Sequence, residues 1–188
     1  MRGYNYTNSR AFRSMTDGYQ IYAKRGLLNV PRFANFGIGG LPYEAYGGII
    51  EAFLEPEPES WTKNKEFPDI WPRVIGSVCR TDSIGLEGQN IILLSFPILP
   101  SDEAYVFERA YRQRELLLPK KESTKKTESD SYLKMWKSRV KAADYKGDYS
   151  LPELGIWNPI EQERLKVEWT RPVKDVFERA KQVSGYNQ

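Results

Sequence analysis

The chain has 188 residues, of which 40% are hydrophobic, 13% aromatic and 28% charged, enough for one domain, or one domain with extensions, around a real core. It holds no histidine and one cysteine, which excludes imidazole acids, bases and metal ligands, and any disulfide framework, zinc ribbon or iron–sulfur cluster built within the chain. The 28 basic against 25 acidic side chains leave a formal charge of +3, too small to imply a nucleic-acid partner by itself.

Arg2, Arg10, Arg13, Lys24 and Arg25 face a single acid, Asp17, across residues 1–28, with Phe12, Met15, Tyr19 and Tyr22 as an apolar stripe. The spacing predicts a basic amphipathic helix from Ser9 to Arg25, capped by Asn8 or Ser9 and ended by Gly26. Its acid-poor composition is that of a mitochondrial transit peptide; an ordinary helix packing its stripe on the body is the alternative. Residues 27–42 then mix apolar side chains with Pro and Gly without a clean period, an extended arm that must lie along the body or on a partner.

Short Ile- and Val-rich runs at 47–54, 73–81 and 90–98, bounded by Gly, Pro and Asp, predict three strands of a small antiparallel sheet. Ile91–Leu94 lacks alternation, as in a strand covered on both faces. Alternating prolines between Glu55 and Pro72 predict an extended loop. A helix is expected from Ser101 to Leu118, stopped by Pro119; a polar linker over 119–130; and a helix from Ser131 to Ala143 with Tyr132, Met135, Trp136 and Val140 inward. Asn158-Pro159 reads as a helix start running to Thr170, and Val173, Val176, Phe177, Ala180 and Val183 form a last helical stripe ended by Gly185. The fold class is therefore α+β, divided as 1–41 (basic helix and arm), 42–118 (small β region with its following helix), 119–130 (linker) and 131–188 (helical region).

Charge is uneven along the chain: net +5 over residues 1–41, −5 over 42–100 and +3 over 101–188. The longest apolar run, Ile91–Leu94, falls far short of the roughly 20 residues a spanning helix needs. The first residues carry no apolar signal region, so Asn5-Tyr6-Thr7 reads as a chance sequon. Cys79, inside an apolar run, suits a reducing interior as a small buried hydrophobe. An intracellular, reducing location is expected, with the mitochondrion one option.

Chemistry is sparse. The glycine clusters Gly37–Gly40 and Gly47-Gly48 match neither GxGxxG nor GxxxxGK[ST] and read as turns. Metal-carboxylate catalysis would draw on Asp69, Asp82 and Glu87 with Lys65 and Arg80, but the next strand, 90–98, has no charge to complete such a site. Glu55, Glu57 and Glu59 on one side of an extended chain make a solvated acidic loop or a docking strip for a basic partner. Lys120, Lys121, Lys125 and Lys126, then Lys134, Lys137, Arg139 and Lys141, with Tyr132 and Trp136 interleaved, form a nucleic-acid-binding candidate; the same pattern also describes a solvated helix face over an apolar stripe.

Aromatic and aliphatic residues in irregular segments are enriched at interfaces. Phe33, Phe36, Leu41, Trp61, Trp71 and Trp157 are accordingly the expected partner-binding residues, and Lys120, Lys121, Lys134, Lys137 and Lys141 the expected nucleic-acid contacts. No catalytic residue, metal or cofactor is assigned. The expected function is a non-catalytic structural subunit of a large multiprotein or ribonucleoprotein assembly, of mitochondrial ribosomal or respiratory type, whose partners are other subunits. A virion component, an RNA- or DNA-binding protein using the Lys-rich helix, and a metal-carboxylate nuclease are the alternatives, in that order.

Overall fold

The computed structural model describes residues 1–9, 50–79, 90–117 and 125–185, and these mix helices and strands in an α+β fold with two antiparallel sheets. They fall into two units: 1–9, 52–79, 90–98 and 160–185 in the first, and 50–51, 99–117 and 125–159 in the second.

The first unit is built on β3 (Asn90–Pro97), which pairs antiparallel with β1 (Arg2–Asn8) on one side and β7 (Lys166–Pro172) on the other. Ile91, Ile92, Leu93, Leu94 and Phe96 are all buried, so both faces of β3 are covered as its unalternating sequence implies. Each such side chain contributes about 1.5–3 kcal/mol of burial free energy. A register shift between Leu93 and Leu94 bulges β7, so that Trp169 pairs with Leu93 and Val167 with Leu94. Helix α1 (Glu59–Thr62) precedes α2 (Ile70–Cys79), which packs on α5 (Val173–Ser184). Val173, Val176 and Ala180 form the buried stripe of α5, and Gly185, in the left-handed region at φ +62°, caps it as expected.

In the second unit β4 (Ala104–Glu108) pairs with β6 (Pro152–Ile156) and with the two-residue β5 (Val140–Lys141). With β2 (Ile50–Ala52) the sheet order is β2-β6-β4-β5. Helices α3 (Ala110–Leu117) and α4 (Lys125–Lys137) pack on each other, and α4 lays Tyr132, Met135 and Trp136 against Phe107 of β4.

Several local readings of the sequence are overturned. Of the strand expected at 73–81, residues 73–79 instead belong to α2, which buries Ile70, Trp71 and Ile75 on one side, and 80–81 lie outside the described residues. Its Val and Ile favour strands locally, but packing outweighs a preference worth less than about 1 kcal/mol per residue. Pro72 is tolerated because the N–H groups of a first helical turn have no intrahelical acceptor. Within its described residues, 101–117, the helix expected over 101–118 divides into a 3-10 turn (Pro100–Asp102), strand β4 and helix α3. Tyr105-Val106-Phe107 are strand formers that pair on both sides, and Glu103, at φ +46°, turns the chain between turn and strand. The helix expected over 158–170 is a 3-10 turn (Gln162–Arg164) followed by β7; the Asn158 amide donates to the Ser101 carbonyl instead of capping a helix. Helix α4 starts at Lys125, inside the stretch read as linker, and ends at Lys137, leaving Val140 to a strand.

Strand β1 is an element the sequence reading did not assign. The basic N-terminal helix beyond Ser9 and the extended arm fall outside the described residues, as does the side chain of Cys79. No helix among the described residues is long and apolar enough to cross a membrane.

Candidate functional site

Alternation along β4 sets Tyr105 and Phe107 on one face of the second sheet and buries Val106 on the other. Phe107 stacks on Trp157, which follows β6, at 5.8 Å and 29°. Edge contacts from Tyr105 (5.0 Å) and Trp136 (5.6 Å) complete the cluster around Trp157. Leu133 of α4 packs beside these rings, and Tyr105, Leu133 and Trp157 are each only partly buried.

Cations surround this cluster. Lys141 is the cross-strand partner of Tyr105, so the two side chains stand together at the sheet edge. Lys137 lies one helical turn after Leu133, on the same flank of α4. The Arg139 guanidinium sits 4.3 Å from the Trp136 ring centroid and donates to the Trp136 carbonyl (3.1 Å), which holds it over the indole. Lys134, Lys137 and Lys141 are exposed, and none of them is ion-paired among the described residues. Lys134 faces a separate cleft of about 280 Å³ between α3 and α4, where Arg114, Asp130 and Ser131 also lie and Glu115 accepts from Thr127 (2.8 Å).

A network of backbone bonds holds the strand that carries Tyr105. The Glu108 carboxylate accepts the N–H groups of Ala110 (3.0 Å), Ser150 (2.6 Å) and Leu151 (2.9 Å), tying the end of β4 to the segment entering β6. The Glu108 N–H donates to Ser138 Oγ (2.9 Å), which donates in turn to the Met135 carbonyl (2.6 Å), fixing β4 to the end of α4. The Tyr149 hydroxyl donates to the Ser138 carbonyl, and the Tyr149 N–H to the Tyr145 hydroxyl (3.1 Å). Burial pushes both phenols above their ordinary range, and the nearby Asp148 and Glu108 carboxylates push the same way.

Among the expected partner-binding residues, Trp61 and Trp71 are each 1% exposed. Phe53 meets both at 5.2 and 5.4 Å, and Tyr6 meets Trp71 at 5.6 Å. Tyr6 also donates its hydroxyl to the Pro56 carbonyl, and burial drives its titration far above the ordinary phenol range. Trp61 and Trp71 are core to the first unit and present almost no surface. Trp157 alone of the described aromatics on that list keeps an accessible edge. Phe33, Phe36, Leu41, Lys120 and Lys121 lie outside the described residues, as do Asp82, Glu87 and Arg80.

The acidic loop is largely met by the chain's own cations: Glu57 pairs with Arg179 (3.2 Å) and Glu59 with Lys63 (2.9 Å), the latter contact holding Glu59 below its ordinary range. Asp69 pairs with Arg73 at 2.6 Å, and no cluster of metal-ligating side chains occurs among the described residues. Structure thus brings Lys137, Lys141 and Trp157 onto one face and adds Tyr105, which the sequence reading missed because it placed 101–118 in a helix. The run of strand formers Tyr105-Val106-Phe107 was the available signal. No protein family, curated protein or solved structure matches the chain.

Proposed function

We propose that this chain is a structural, non-catalytic subunit of a ribonucleoprotein assembly, and that its second unit contacts the nucleic acid through the face formed by α4, β4 and β5. The observation that carries this reading is the pair Lys137 and Lys141, exposed and without an ion-pair partner among the described residues, together with Arg139 over Trp136, around the partly buried rings Tyr105 and Trp157. Phosphate neutralisation by such side chains is the main source of affinity for nucleic acids, and an accessible ring beside them provides a surface on which a base can stack.

The test is oligonucleotide binding by fluorescence anisotropy over a salt series, comparing the unaltered chain with Lys137→Glu/Lys141→Glu. Log affinity falls linearly with log salt, and removing two phosphate contacts reduces that slope by about 2. Unchanged affinity and slope in the double variant would refute the assignment of this face. Native mass and the ratio of absorbance at 260 to 280 nm, measured on particles taken gently from their source, test the assembly itself.

A further inference from the structure

We propose that the nucleic acid held by this face is single-stranded, with a base stacked on Tyr105 and the adjoining phosphates on Lys141 and Lys137; this inference rests on the nucleic-acid reading above. Tyr105 is only partly buried. Its one ring contact among the described residues is Trp157, met edge-on at 5.0 Å and 75°. Phe107 and Trp136, by contrast, are buried.

Pairing across β4 and β5 puts Lys141 directly opposite Tyr105, where side chains on one face start about 4.5–5.5 Å apart. Side chains rising from neighbouring Cβ atoms let the ring take a base while the ammonium takes that nucleotide's own backbone phosphate. A duplex offers lysines the same phosphates, but its bases are stacked on both sides, and freeing one costs a few kcal/mol. Tyr105 stands on a packed strand beside α4, half-buried and tied through Glu108 and Ser138, so it is poorly placed to enter a stack as a wedge. An acidic peptide would satisfy the lysines and leave the ring unused.

The experiment is anisotropy on the full chain with a labelled single-stranded oligonucleotide, the same sequence as a duplex, and heparin as a polyanion without bases. At matched salt the single strand is expected to bind about tenfold or more tightly than the duplex. Tyr105→Leu is expected to lose about tenfold on the single strand and nothing on the duplex, while Tyr105→Phe keeps the preference. Circular dichroism melts establish that each variant is folded. If Tyr105→Leu fails to fold, the strand preference of the unaltered chain decides the matter alone. Equal affinity for single strand and duplex, heparin competing as well as the single strand, or a folded Tyr105→Leu with unchanged affinity would each overturn the inference while leaving the nucleic-acid reading in place. No binding of either form at low salt would overturn both.

Discussion

Replacing Glu108 with Gln tests how the second unit holds β4. The side chain keeps its shape, but one acceptor oxygen becomes an NH2 donor. With the amide oxygen at the Oε1 position, the bonds from Ala110 and Leu151 survive in weakened, neutral form, and the NH2 confronts the Ser150 N–H that now lies 2.6 Å from Oε2. The reverse orientation loses two bonds instead of one. A hydrogen bond to a charged acceptor is worth about 1.5–3 kcal/mol, and weakening two more adds about 1, so the expected loss is about 2–4 kcal/mol. With a urea dependence near 2 kcal/mol per molar, the unfolding midpoint falls by about 1–2 M. The assay is urea unfolding followed by tryptophan fluorescence and near-ultraviolet circular dichroism, because Trp136 and Trp157 sit beside the perturbed strand. Glu103→Gln, an exposed carboxylate in the same unit, serves as control and is expected to stay within about 0.5 kcal/mol. Equal midpoints for Glu108→Gln and the control would show that the three N–H groups find other acceptors and that the carboxylate does not hold the strand.

Gly76 lies inside α2, where among the described residues an added Cβ meets only Phe177 Cε2 at 3.5 Å, an ordinary contact; Gly76→Ala is expected to raise stability by about 0.5–1 kcal/mol in thermal or urea unfolding. Glu168 accepts a hydrogen bond from Ser95 Oγ (2.6 Å) and another from Lys166 (3.0 Å), and these hold its carboxyl below the ordinary glutamate range. A lowered folded value means stability that is present above the unfolded pKa and lost as pH falls through the folded one. Glu168→Gln should therefore be less stable than the parent near about pH 7, with the gap closing toward about pH 3. Ser95→Ala should move the Glu168 carboxyl back up toward its ordinary range in an NMR titration, whereas an unmoved titration would show that the serine hydroxyl is not what lowers it.

The open edge of the first sheet follows the same economy of polar contacts. Among the described residues, strand β7 has no strand on its outer side, and Lys166, Arg171, Pro172 and the bulge at Glu168 stand along it. Charge, proline and bulging are devices by which exposed edges avoid pairing with other chains.

Two elements were legible because their signals are local. Helix α5 carries its apolar residues at helical spacing and ends on a glycine that alone adopts the left-handed region without strain. Strand β3 is an unbroken aliphatic run too short to be a helix of its own and too apolar to face water. Helix α2 was not legible, because Val74, Ile75 and Val78 fit a strand equally well until Trp71 and Ile75 find the core that makes the helix face worth forming. Strands β1 and β7 were hidden for a different reason: each is completed by pairing with residues about eighty positions away, and short windows carry no trace of such partners.

By itself the sequence determined the mixed α+β class, the absence of imidazole chemistry, the doubly covered central strand and the inward stripe Tyr132–Met135–Trp136. It also showed a set of lysines without saying what stands beside them. Tertiary structure alone decided that Trp61 and Trp71 turn inward, and that Lys141 lies opposite Tyr105 with Trp157 behind it. Periodicity is a property of neighbours along the chain, whereas burial and register depend on which distant surfaces meet, and only the folded chain brings those surfaces together.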